Sequence, residues 1–326
     1  MIVKSTFKPA WWLRNAHAQT LYPYVFRNVG APYFRCERLE LPDGDFVDLI
    51  WVEGGLSEDA PLVVLLHGLC GTGDSQYIKA QMKRYQQMGW RSVVMQFRGA
   101  GSEPNRKMRA YHSGDTADLN YFMQVLTQRE PHTQKLGVGF SLGGNVLLKW
   151  LGENSTQTLF SAAVAVSVPF QLNLVADRMN WGFSRLYRNH LLHNLRKQFI
   201  RKMEHNPNEE FLRILKACHC FWTFDDKVTA PLNGFDSVHS YYREVSSKAF
   251  LTHITTPTLI IHALDDPFMT PVAIPKLADL SSSIILELSE RGGHVGFVTG
   301  SMPGCPVFWL DQRIPEFFAQ HLAPQS

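Results

Sequence analysis

From about residue 60 onward, short runs of wholly apolar residues alternate with stretches of helical spacing. Residues 61–66 (Pro-Leu-Val-Val-Leu-Leu), 91–96, 136–140 and 162–168 are apolar on both faces, as are 258–262 and 284–288 further on. Helical patterns lie between them, at about 77–88, 116–129 and 143–152, with later ones near 271–277 and 306–321. A strand with no polar face must be covered on both sides, and alternation with helices supplies the covers. The expected fold class is therefore α/β, with a mostly parallel central sheet and helices on both faces.

The alternation breaks once. Residues 170–235 carry helical pattern and aromatics without a clear strand, which reads as a helical cap inserted after the strand at 162–168. Ahead of the core, 38–41 and 47–52 flank Pro42-Asp43-Gly44-Asp45, an antiparallel hairpin at the sheet edge. One domain spanning 1–326, with the cap inside it, accounts for the whole pattern.

Composition narrows the function classes. The chain is 45% hydrophobic and 19% charged, too apolar for disorder, and its formal charge of +3 makes no case for nucleic acid. The five cysteines (Cys36, Cys70, Cys218, Cys220, Cys305) are odd in number and scattered, which suits a reducing compartment. Residues 1–8 lack an apolar signal core, and no apolar run approaches the roughly 20 residues that cross a bilayer. A soluble cytoplasmic protein is expected. No H-E-x-x-H, Walker A or dinucleotide fingerprint occurs, so no metal or other cofactor is expected.

The sharpest signal is Gly139-Phe140-Ser141-Leu142-Gly143-Gly144, running from the end of an apolar strand straight into a helix. G-x-S-x-G requires that context, because the serine sits on a tight strand-to-helix turn whose flanking positions have no room for side chains. A serine needs a base, and the base needs an orienting acid. The order Ser…Asp…His is met by Asp265-Asp266-Pro267 and by Gly292-Gly293-His294, each following an apolar strand. We expect Ser141, Asp266 and His294 as the catalytic residues, with Asp265 as the alternative acid. The Leu66-His67-Gly68-Leu69-Cys70-Gly71 loop should supply an oxyanion donor, the amide of Leu69, beside the amide of Leu142. His67 is expected to brace this loop, and Cys70 to be a small loop residue. The nucleophile position is not aspartate, and no aspartate follows His294 at five residues (Thr299 stands there), which excludes two other chemistries on such a scaffold.

With these residues in place the chain resembles the α/β-hydrolases, and more narrowly the YheT-like esterases (the AB hydrolase-4 family). The narrower resemblance rests on residues 11–20 (Trp-Trp-Leu-Arg-Asn-Ala-His-Ala-Gln-Thr), 67–71, 97–101 and 111–118, and on Phe224-Asp225-Asp226…Pro231 and Asp265-Asp266-Pro267. It implies an α/β-hydrolase fold, charge-relay roles for Ser141, Asp266 and His294, and ester hydrolysis, with acylglycerol and phospholipid esters as the relatives' substrates. Ala16 departs from the glycine that relatives often carry there.

A small-molecule ester is thus the expected partner, with no nucleic acid; oligomeric state is left open. Thioester or peptide hydrolysis on the same site, and a non-catalytic lipid-binding role, are the alternatives. Residues 178–203 hold seven Lys or Arg and no acid, with Leu192, Leu195, Phe199 and Met203 at helical spacing. This reads as a cap helix with a solvated basic face; contact with an anionic substrate or membrane surface is the sharper alternative. Trp181, Phe183, Tyr187, Phe221, Trp222 and Phe224 could wall an acyl pocket or form the cap's own core.

Overall fold

The computed structural model describes residues 1–322 except 31, 33, 158, 205 and 206. Its strands are β1 (Ile2–Lys4), β2 (Arg35–Glu40), β3 (Phe46–Val52), β4 (Leu62–Leu66), β5 (Arg91–Met95) and β6 (Lys135–Phe140). After them come β7 (Ala162–Val166), β8 (Thr258–Ala263), β9 (Ile284–Ser289) and a small pair, β10 (Val298–Thr299) with β11 (Val307–Phe308). The first nine form one sheet in the order β1-β9-β8-β7-β6-β4-β5-β3-β2. Neighbours pair in parallel from β1 to β5; β3 then runs antiparallel to both β5 and β2, so the hairpin closes that edge.

Strand periodicity divides the core in two. Leu62, Val64 and Leu66 of β4 face one layer, where α3 (Ala117–Arg129) and α4 (Leu142–Glu153) bring Leu119, Phe122, Val146 and Trp150. Val63 and Leu65 face the other, against Ile78, Met82 and Tyr85 of α2 (Gln76–Gln87) and Ile314 and Phe318 of α11 (Leu310–Ala319). Both sets are almost fully buried. Truncating a core leucine such as Leu65 to alanine would cost about 2–5 kcal/mol, because the surrounding layers cannot collapse into the gap.

The hairpin edge is tied down by a buried charge cluster. Arg98 donates to both oxygens of Asp118 (2.6 and 2.7 Å), to Asp43 (2.8 Å) and to Asp45 (3.1 Å), while Asp45 also accepts from Asn105 (2.6 Å). Segments 97–101 and 111–118 thus contribute scaffolding here: an interior guanidinium is tolerated because its donors are matched by carboxylates.

Between β7 and β8 the chain is helical: α5 (Leu172–Arg178), α6 (Ser184–Lys202), α7 (Glu209–Ala217), α8 (Phe221–Phe224), α9 (Ala230–Leu232) and α10 (Val238–Val245). Leu192, Leu195 and Phe199 of α6, with Met203 just beyond it, pack on Leu215, Cys218, Phe224 and Val228 to make a separate small core. Half of the basic residues on α6 serve as clamps: Arg196 donates to the carbonyls of Leu215 and Cys218, Arg201 to that of Ser102, and Lys202 to that of Arg109. Among the described residues no helix is long and apolar enough to cross a membrane.

One expected helix is not found. Residues 271–277 make two isolated 3-10 turns, Pro271–Ala273 and Leu277–Asp279. Pro275 lies between them and cannot donate the N–H a continuous helix would need.

Candidate active site

Parallel strands deliver their carboxyl ends to one edge of the sheet, and the loops after β4, β6, β7, β8 and β9 meet there. Ser141 follows β6 with φ 51° and ψ −117°, a strained conformation for a residue with a side chain. Its N–H donates to the carbonyl of Val166 (2.8 Å), and its own carbonyl accepts from Asn145 (3.1 Å) as α4 begins. The glycines around it are sterically required. A Cβ on Gly143 would stand 2.4 Å from the Leu66 carbonyl oxygen, and one on Gly139 2.4 Å from that of Gly143.

His294 comes from the loop after β9. Its Nε2 lies 2.9 Å from Ser141 Oγ, and its Nδ1 lies 2.8 Å from Asp266 Oδ2. A carboxylate can only accept, so Nδ1 carries the proton and Nε2 is left as the acceptor for the serine hydroxyl. The second oxygen of Asp266 accepts from the Phe268 N–H (2.8 Å), and its side chain is only 1% exposed. The Phe268 ring lies flat on the imidazole, centroids 3.9 Å apart and planes within 7°. That face-on contact fixes the ring's plane.

The two adjacent acids have separate partners. Asp265 turns away from the imidazole and accepts from the Gly293 N–H (3.0 Å), bracing the turn that carries His294. Burial pushes its carboxyl above the usual range, and the backbone donors oppose this.

The loop after β4 is held from both sides. Tyr77 OH accepts from the Gly68 N–H (2.9 Å) and Tyr111 OH from the Cys70 N–H (2.9 Å), while the Gly71 N–H donates to the Gly68 carbonyl (2.9 Å). The amide between them, that of Leu69, has no acceptor among the described residues, and neither has that of Leu142 at the start of α4. His67 is fully buried; Nδ1 contacts the Gly68 carbonyl (2.8 Å) and Nε2 accepts from Phe97 N–H (3.2 Å). Burial lowers its pKa to about 4, so it is a neutral brace. Burial pushes the Cys70 thiol up to about 12, which keeps it protonated and poorly nucleophilic.

Several supports were not singled out from sequence. Thr20 Oγ1 accepts from the His294 N–H (2.9 Å) and donates to the Ala16 carbonyl (2.8 Å). Ser167 Oγ accepts from the Val295 N–H (3.0 Å), and buried Gln19 bridges the Leu13 and Val298 carbonyls. Thr20 and Gln19 belong to the segment 11–20, whose aromatic and amide-rich composition was the available signal. Ser167 and Phe268 carried none.

A cavity of about 910 Å³ opens onto Ser141 and His294, roofed by α5, α6 and the cap helices. Of the six cap aromatics, Phe183, Tyr187, Phe221 and Phe224 line it. Trp222 packs on Tyr242 instead, and Trp181 is exposed.

Comparisons with known proteins agree with this architecture. Residues 61–301 match the family described as alpha/beta hydrolase fold. The chain is 41% identical over 325 residues to "Putative esterase YheT" of Escherichia coli (strain K12), covering 98% of this chain and 95% of that protein. It is 27% identical over 311 residues to "Phospholipase ABHD3" of Homo sapiens, covering 93% and 76% respectively. Among solved structures, the esterase Pf2001 of Pyrococcus furiosus superposes with a TM-score of 0.59 over 91% of this chain and 96% of that one, at 16% identity, which is a likeness of fold. Sheet order, family match and near full-length relatives together show that the chain belongs to the α/β-hydrolase family, on the branch that includes YheT and the ABHD-type hydrolases.

Proposed function

We propose that the protein is a serine esterase that cleaves carboxylic esters through an acyl-enzyme on Ser141. The observation that carries this reading is the 2.9 Å approach of Ser141 Oγ to His294 Nε2, with Asp266 behind the imidazole. Nε2 takes the hydroxyl proton as Oγ attacks the ester carbonyl carbon, and the carbonyl π electrons move onto oxygen. The amides of Leu69 and Leu142 stabilise that oxyanion; each such donor typically contributes about 10² to 10³ in rate. Collapse of the intermediate expels the alcohol, which leaves with the proton from Nε2. Water then enters, His294 acts as base again, and the carboxylate departs with Ser141 restored. Asp266 holds the tautomer and stabilises the imidazolium without taking the proton.

The predominantly apolar cavity lining, with Leu172, Val175, Met179 and Leu191, favours an acyl chain of small to medium length or a lipid ester. The name of the human relative, a phospholipase, agrees with the lipid reading. Thioester and peptide hydrolysis would use the same three residues, and a substrate panel separates them. Ser141→Ala should lower turnover of short p-nitrophenyl esters on the order of 10⁴-fold or more. Undiminished turnover would contradict the nucleophile assignment, and a clear preference for amides or thioesters would replace the ester reading.

A further inference from the structure

The cavity carries an unusual charge pattern. No Lys or Arg is among the described residues that line it, and of its two carboxylates one, Asp74, is exposed to solvent. The other, Asp225, is half-buried in the cap and lines the cavity. Its side chain accepts from Thr229 Oγ1 (2.7 Å) and Tyr242 OH (2.8 Å), and it has no ion-pair partner among the described residues. Burial pushes the carboxyl up to about 6, opposed only by those two hydroxyls, with no cation pulling it down. At neutral pH this leaves an anion inside the protein without a counter-charge, a costly arrangement unless something else supplies one.

Asp225–Thr229 is a π-helical turn in which the Ala230 N–H donates to the Asp225 carbonyl. Pro231, the next residue, has no N–H to continue the ordinary ladder. Such turns displace a side chain from the helical spacing of its neighbours. Phe221, Phe224, Tyr241 and Tyr242 line the cavity with Asp225, and the Tyr242 hydroxyl touches the carboxylate. A lining that combines aromatic residues with a carboxylate suits a weakly hydrated cation, and the absence of Lys and Arg among its described residues disfavours a phosphate or carboxylate at the same place.

We propose that the Asp225 end of the cavity is a subsite for a positively charged ammonium group on the substrate, so that the protein prefers esters carrying such a group on one arm. The inference rests on the esterase reading above and adds the substrate class. The chemistry at Ser141 is unchanged: water adds OH to the acyl carbon and H to the alcohol oxygen, while the ammonium group keeps its bonds.

The test compares isosteric ester pairs that differ only in replacement of a quaternary nitrogen by carbon. Butyrylcholine against 3,3-dimethylbutyl butyrate probes the alcohol arm; p-nitrophenyl 6-(trimethylammonio)hexanoate against p-nitrophenyl 7,7-dimethyloctanoate probes the acyl arm. The wild-type protein should favour the cationic member of one pair by about tenfold or more in kcat/KM, within the range that a buried cation–π and charge contact supports. In Asp225→Asn that ratio should fall towards one. No preference in either pair would overturn the proposal, and a preference that survives Asp225→Asn would overturn the assignment to Asp225. Should that variant not fold, the wild-type chain still decides: tetramethylammonium should raise its thermal midpoint relative to sodium at equal ionic strength, and no such rise would overturn the subsite. A chain that turns over none of the four esters contradicts the esterase reading, whereas turnover without charge preference contradicts the subsite alone.

Discussion

The hydroxyl of Thr20 accepts the main-chain N–H of His294 at 2.9 Å, so a residue of the first helix holds the loop that follows the last strand of the large sheet. The same hydroxyl donates to the Ala16 carbonyl one turn back in α1 (Ala16–Phe26), which fixes its direction. Asn15 caps that helix by accepting from the amides of His17 and Ala18. The close fit continues at Gly293, where a Cβ would come within 2.5 Å of the Ala16 carbonyl oxygen.

Thr20→Val keeps the shape and removes the acceptor. It should lower kcat by about 10- to 100-fold through misplacement of the imidazole, with KM little changed, and Thr20→Ser should restore most of the loss. An equal loss in both variants, or a change confined to KM, would contradict a positioning role.

The two neighbouring aspartates should separate cleanly. Asp266→Asn leaves an amide facing Nδ1, which permits the wrong tautomer, and should cost on the order of 10⁴-fold in kcat. Asp265→Asn retains an oxygen for the Gly293 N–H and should cost less than about tenfold. Steady-state kinetics on one p-nitrophenyl ester decides this, and equal losses would reverse the distinction drawn from their partners.

Much of this arrangement is legible in the sequence because it depends on local pattern. Strands such as Leu62–Leu66 and Ala162–Val166 are apolar on both faces, and only a sheet covered on both sides accommodates that. The glycines beside Ser141 mark a turn with no free volume, and Asp266 and His294 follow strands that end at the same edge. What stays hidden depends on distance through space. Ile2–Lys4 is a strand solely because it falls in register with Leu286–Leu288, and three residues carry no periodicity to announce it. Thr20 and Ser167 look like ordinary hydroxyl residues until the loop of His294 lands on them. At 271–277 the spacing suggests a helix, but Pro275 between two short turns prevents continuity.

Acid stability should follow three histidines, two of them buried and His112 partly so. Burial lowers His67 to about 4, His112 to about 3 and His262 to about 4, each below its unfolded value of 6.5. As pH falls from 6.5 the unfolded chain takes up protons first, so stability drops down to the folded values and no further from this source. For His67 alone the linkage is on the order of 3 kcal/mol. Asp225, raised to about 6, works in the opposite sense below that pH, so a single substitution isolates the effect. His262, whose Nδ1 has no partner among the described residues, is the simplest site. Relative to wild type, His262→Leu should gain stability steadily as pH is lowered from 6.5 to 4, measured by denaturant midpoints. A difference independent of pH would contradict the neutral, buried assignment.

The most direct measurement is the site of labelling by a fluorophosphonate probe, mapped by peptide mass spectrometry. Such a probe reacts with a serine whose hydroxyl is activated by a neighbouring base and whose developing oxyanion is stabilised. A single adduct on Ser141 is expected, abolished in Ser141→Ala and strongly slowed in His294→Ala. An adduct on another residue, or labelling that persists in Ser141→Ala, would contradict it.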